Sequence, residues 1–135
     1  MKLLLDTNIC IYLIKRRPPS VLRHFNAFHA GAIGISSITV AELEFGVQKS
    51  HYPSQNQEAF EQFLLPLVLL DFDRQAARAY GKLRALLESR GRVIGALDML
   101  IAAHALSQDV PVATNNVKEF SRVPGLKVLN WASSG

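Results

Sequence analysis

Three acidic residues and one amide stand where an α/β chain can do chemistry with them. Asp6 ends an apolar run, Leu3-Leu4-Leu5, that reads as a strand buried on both faces. Glu42 falls in the first turns of a helix that follows a second short strand at 32–35. Asp98 opens a helix that is apolar nearly all round, carrying Met99, Leu100, Ile101, Ala102, Ala103, Ala105 and Leu106. Asn116 directly follows a further strand at 111–114. In an open α/β sheet, ligands bind outside the carboxyl ends of the strands. Residues 36, 56 and 18 positions apart in this order can therefore meet at one edge.

Three carboxylates gathered there repel one another unless a cation sits among them. Oxygen donors without His or Cys at ligand spacing favour a hard ion, Mg²⁺ with Mn²⁺ as a substitute. Such an ion acidifies a water and offsets charge on a phosphodiester, so the chemistry implied is phosphodiester hydrolysis. Each residue also has a plainer role open to it. Asp6 is a good helix N-cap. Thr39-x-x-Glu42 has the spacing of a capping box, and Glu44 is a rival acid about 200° further round the same helix. Asp98 suits the first turn of a helix by its dipole, yet an acid entering so apolar a helix is costly unless paired or metal-bound. Asn116 can cap the short helix at 117–120. A cap can also be a ligand, so these roles coexist.

No phosphate-binding glycine loop, nucleophile elbow or HExxH motif is present. His24, His29, His51 and His104 share no spacing, and His104 is expected as a core or rim histidine off the Asp98 face.

The elements that must position the acids can be read in order. A helix at 9–17 is broken by Pro18-Pro19. A second starts at Pro19 or Ser20 and runs through Val21, Leu22, Phe25 and Phe28 to Gly31. The Glu42 helix carries Val40, Leu43 and Val47 on one stripe with Gly46 inside it, and the chain turns at 51–54. An amphipathic helix with Ala59, Phe60, Phe63 and Leu64 follows, then a strand at 67–70. Asp73 caps a helix at 74–90, striped by Ala77, Tyr80, Leu83 and Leu87 and ended by Gly91. A fifth strand at 127–129 precedes Trp131. Strands separated by helices throughout predict an α/β fold: a three-layer sandwich with a mostly parallel five-stranded sheet, one domain over 1–135.

Composition agrees. With 135 residues, 49% of them hydrophobic and 19% charged, the chain can bury a core without staples and is not a disordered segment. The single Cys10 excludes an internal disulfide and is expected as a reduced core residue, in keeping with the cytosol. Asp6 arrives too early for a secretory leader, and no apolar run approaches the ~20 residues of a membrane span. The net charge of +4 is compatible with a polyanionic partner, and gathering acids in one site leaves the rest of the surface more basic still.

The motifs taken together resemble the VapC toxins of the PIN-domain ribonucleases. They are Leu4-Leu5-Asp6-Thr7-Asn8-Ile9-Cys10-Ile11-Tyr12, Ile35-Ser36-Ser37-Ile38-Thr39 and Glu42-Leu43-x-x-Gly46, then Gly95-x-x-Asp98-x-x-Ile101-Ala102-x-His104-Ala105, Thr114-Asn115-Asn116-x-x-Glu119-Phe120 and Val128-x-x-Trp131. Each is modest alone; their order and spacing are specific. The resemblance implies that Glu42 rather than Glu44 is the second acid, and that Asp6, Glu42 and Asp98 hold Mg²⁺ with Asn116 beside them. Thr7 and Thr114 match positions that orient those groups. Many PIN domains carry a fourth acid where this chain has Asn116, and Glu119 lies close enough in sequence to contribute. Arg84, Arg90 and Arg92 are candidates for phosphate contacts. The resemblance further implies an endoribonuclease toxin cutting structured RNA, with initiator tRNA favoured. It also implies a VapB-type antitoxin that occludes the site, a homodimer within a larger toxin–antitoxin assembly, and a cytoplasmic location. The apolar faces at 40–47 and 59–64 are candidates for the antitoxin's groove. Rival readings are a non-catalytic RNA-binding module, which Asn116 alone favours, and a haloacid dehalogenase-like phosphatase, which wants an acid where Asn8 stands. A receiver domain wants paired N-terminal acids that this chain lacks.

Overall fold

The three leucines form the central strand. In the computed structural model, which describes residues 1–131, β1 (Leu3–Leu5) lies between β2 (Ile33–Ser36) and β4 (Val112–Thr114). β3 (Val68–Leu70) and β5 (Val128–Asn130) complete the order β3-β2-β1-β4-β5. Every neighbouring pair is parallel, so the sheet is more uniform than the mostly parallel one expected. All five carboxyl ends consequently face one edge, and the strand order reverses beside β1, where such sheets place their ligands.

Side chains alternate across the sheet. Leu3 and Leu5 pack with Ile33, Ile35 and Ala113 on one face, beneath α1 (Thr7–Ile14), α2 (Pro19–Asn26), α3 (Ser37–Lys49) and α4 (Pro53–Leu64). Leu4 and Val112 pack on the other face against α5 (Arg74–Ser89), α6 (Ala96–Gln108) and α7 (Val117–Phe120). The result is three layers with two cores. Full burial of an aliphatic side chain contributes about 1.5–3 kcal/mol. Three buried leucines in succession therefore fix β1, and with it the backbone of Asp6, against slippage.

Helix ends differ from the sequence reading for local reasons. α1 begins at Thr7, two residues early, because Asp6 caps it; it stops at Ile14, and Arg16 then adopts a left-handed φ of 59°. α2 stops at Asn26, short of Gly31, and Phe28 instead stacks on Trp131 at 5.9 Å, as His24 does at 5.7 Å. Gly91 follows α5 with φ 64°, the left-handed turn for which glycine suits a helix C-terminus. Among the described residues no helix is long and apolar enough to cross a membrane. The last four residues of the expected domain, 132–135, lie outside the described ones.

Candidate active site

Asp6 is held from two sides. Its Oδ1 accepts the Ile9 backbone N–H at 2.8 Å, and its Oδ2 accepts the Thr114 hydroxyl from the end of the neighbouring strand. It is thus the N-cap of α1 and buried, 2% exposed, and the cap leaves it at the carboxyl edge of the sheet. Glu42 lies on α3 facing α1, where its Oε1 accepts the Thr7 hydroxyl at 2.8 Å. The Thr39 hydroxyl lies 3.5 Å from that of Thr7. No capping box forms at Thr39, because α3 begins earlier: Ser36 is its N-cap and accepts the Ile38 N–H at 3.1 Å. Glu44 points elsewhere, accepting from Gln57 on α4 at 3.1 Å. Of the two acids that residue types left open, α3 turns Glu42 toward α1 and the groove and Glu44 toward α4.

Asp98 occupies the first turn of α6. Burial, followed by the charges of Glu119, Asp6 and Glu42, pushes its pKa up to about 6. Asp6 is likewise raised to about 6, by burial first, against the lowering effect of the Thr114 and Ile9 bonds, with Glu42's charge adding to the rise. Asp98 thus feels the charges of both Asp6 and Glu42, and Asp6 feels that of Glu42. None of them is paired with a basic side chain; among the described residues the ion pair is Arg84–Glu88.

Charge and donor type fit a hard divalent cation. Among the described residues no three Asp, Glu, His or Cys side chains form a ready-made cage.

Asn116 precedes α7, but its side chain makes no capping bond. Its amide instead donates to Glu119 Oε2 at 2.7 Å, while its backbone N–H donates to the Thr114 hydroxyl at 2.8 Å. Glu119 Oε1 accepts the Gly95 N–H, a bond that holds the Glu119 carboxyl below its usual range. Arg84 spends its guanidinium on Glu88 at 2.9 Å and on the Tyr80 hydroxyl at 3.1 Å, along the exposed side of α5. Arg90 and Arg92 are exposed beyond the end of α5. His104 is fully buried, its Nδ1 2.8 Å from Ser36 Oγ, as a core histidine should be.

A groove of about 800 Å³ opens beside the acids. Thr7, Glu42 and Asp98 line it together with Ile11, Leu43, Val47 and Phe60, and Lys15 lies about 12 Å further along α1 by helix rise. Its apolar walls come from Leu43 and Val47 on α3 and Phe60 on α4, within the two apolar faces expected from sequence, and from Ile11 and Ile14 on α1 and Leu97 on α6. Two residues fall within the motif segments, but their contacts carry no sequence signal: Thr39 has its hydroxyl beside that of Thr7, and the amide of Asn115 donates to the Tyr12 hydroxyl at 2.8 Å, tying the end of β4 to α1.

Known proteins share this sequence and fold. The PIN domain model matches residues 3–126. Ribonuclease VapC2 of Haemophilus influenzae is 47% identical over 131 residues, covering 97% of this chain and 98% of the relative. The tRNA(fMet)-specific endonuclease VapC of Shigella flexneri is 43% identical over 132 residues, with 98% and 99% covered. In the crystal structure of DNA-bound VapBC from Salmonella typhimurium, a chain 42% identical superposes with a TM-score of 0.92, over 97% of this chain and 98% of that one. With strand-end Asp6, inward-facing Glu42 and helix-opening Asp98 on such a sheet, the chain belongs to the PIN-domain family and, within it, to the VapC ribonucleases.

Proposed function

We propose that this chain is a Mg²⁺-dependent endoribonuclease, the toxin of a VapBC pair, hydrolysing phosphodiester bonds in structured RNA. The observation that carries the reading is that Glu42 and Asp98 line one open groove, with the charges of Asp6 and Glu42 acting on Asp98 and no basic side chain paired to any of the three among the described residues. In this reading Asp6, Glu42 and Asp98 hold the ion, and Asn116 completes the shell through water. Bound there, Mg²⁺ supplies an acidified water and offsets charge on the phosphodiester. The chain's own part is to keep its acceptors in place: the Thr7 hydroxyl fixes Glu42, and Thr114 with the Ile9 amide fixes Asp6.

The Shigella relative's specificity for tRNA(fMet) supports initiator tRNA as the substrate. The VapBC assembly of the Salmonella relative supports a VapB-type antitoxin partner. A homodimer within that assembly, a single domain over 1–135 and a cytoplasmic location belong to the same proposal. Purified, antitoxin-free protein incubated with total RNA and Mg²⁺ should give a few discrete cuts, foremost in initiator tRNA. Asp6→Ala and Asp98→Ala should each cut about 10²–10³-fold more slowly, the scale of losing one electrostatic element of an active site. Absence of cutting by the folded chain with any divalent ion would overturn the reading in favour of an RNA-binding module.

A further inference from the structure

We infer that Glu119 is a positioning residue that braces the Asp98 turn through the Gly95 amide, and not a ligand to the metal. The inference rests on the nuclease reading only in taking Asp98 as a ligand. α6 has Gly95 as its N-cap, so the cap residue has no side chain to offer the helix. Counting on, Ala96, Leu97 and Asp98 occupy the first three helical positions. In a capping box, the acid at the third position reaches back to the N–H of the cap residue. Asp98 is that acid here. The Gly95 N–H, however, is already taken by Glu119, 24 residues away on α7. Glu119 thus does for α6 from outside what Asp98 would otherwise do from within, and the Asp98 carboxylate is left to the site.

The rest of the bonding follows the same line. Glu119 is held on its other oxygen by the Asn116 amide at 2.7 Å. The Asn116 backbone N–H donates to Thr114, and the Thr114 hydroxyl donates to Asp6. An unbroken chain of bonds therefore runs from Asp6 to the turn that carries Asp98. This accounts for the amide at position 116, since a carboxylate there would face Glu119 with no donor between them. Gly95 fits the same scheme. A Cβ on it would stand 3.2 Å from Glu119 Oε1 and 3.4 Å from Asp98 Oδ2, crowding the two carboxylates it separates.

The test compares Glu119→Gln with Glu119→Ala by calorimetric titration of the whole chain with Mg²⁺, without RNA. The glutamine keeps a carbonyl acceptor for Gly95 and, with the Asn116 amide turned over so that its oxygen accepts from the new NH2, keeps the second bond as well, but offers a metal no charge. A brace predicts that Glu119→Ala loses about 10–100-fold in Mg²⁺ affinity, the usual effect of removing a partner that orients a ligand, and that Glu119→Gln recovers most of it. Equal losses in both variants would make Glu119 a ligand and overturn the inference. The Gly95 amide resonance of the unsubstituted chain gives a second reading. It should stay downfield and protected from exchange when Mg²⁺ is added, whereas release of that proton on metal binding would show Glu119 turning to the ion. Neither measurement involves cleavage. A chain that binds Mg²⁺ as described yet cuts no RNA would refute the nuclease reading alone.

Discussion

Asp98 and Asp6 are the residues at which stability and chemistry oppose each other. Each carboxyl has a folded-state pKa near 6, against an ordinary value of 3.8, because burial and neighbouring acids disfavour its charge. The folded chain therefore binds more protons than the unfolded chain between those values. A raised carboxyl leaves stability highest below about pH 4, lets it fall as pH rises toward about 6, and changes it little beyond. Asp98→Asn removes the charge without removing a recorded hydrogen bond. In metal-free protein its melting temperature should draw ahead of the parent's as pH rises from about 4 to about 6 and hold that lead at neutral pH. Saturating Mg²⁺ at neutral pH should raise the parent and leave the variant nearly unmoved. Thermal melts across that range, with and without the ion, check both; a lead that shrinks with rising pH contradicts the assignment. Asp6 is the poorer probe, because an amide there has one oxygen for two donors, Ile9 N–H and the Thr114 hydroxyl.

At the scale of elements, α3 brings Glu42 to the site and forms one wall of the groove. Gly46 lies inside it and lines the groove, and a Cβ there would meet nothing within 4 Å. Gly81 in α5 has the same open surroundings away from the groove. Replacing a helix-interior glycine by alanine stabilises by about 0.5–1 kcal/mol, so Gly46→Ala and Gly81→Ala should each raise the melting temperature by about 2–5 °C. Only Gly46→Ala should also weaken binding of a groove occupant, since it alone adds a methyl to that wall; matched titrations of the two variants decide it. Much of this scale was legible in the sequence. The leucine run, its closing acid and the alternation of strands with helices carry short-range signals, and each became an element near its expected place. What stayed illegible depends on distant partners. The phase of α3, which separates Glu42 from Glu44, follows from a cap at Ser36 one turn earlier than the Thr39 box suggested. The Glu119–Gly95 bond joins residues that no periodicity links, and His104 meets Ser36 across 68 positions.

For the whole molecule, the decisive quantity is how charge is shared between site and surface. Of the 11 acidic residues, Asp6, Glu42, Asp98 and Glu119 stand at the site, which leaves seven against 15 basic residues elsewhere. A polyanion is therefore drawn to the body of the protein and repelled by the site until a cation occupies it. RNA binding should accordingly fall steeply with salt: four to six phosphate contacts on a single-stranded loop give a log–log slope of about −3 to −4. Raising monovalent salt from about 50 to 200 mM would then lower affinity about 10²-fold. Lys15, at the groove's far reach along α1, is the basic side chain best placed to hold a phosphate while another lies at the acids. Lys15→Ala should weaken binding and flatten that slope by about 0.7, the share of one contact. Filter binding of initiator tRNA to the Asp98→Asn chain, expected to cut slowly, with and without the Lys15 change and across the salt range, measures both effects. An unchanged slope would remove Lys15 from the RNA path, and a slope near zero would mean that the groove's apolar wall, rather than surface charge, holds the substrate.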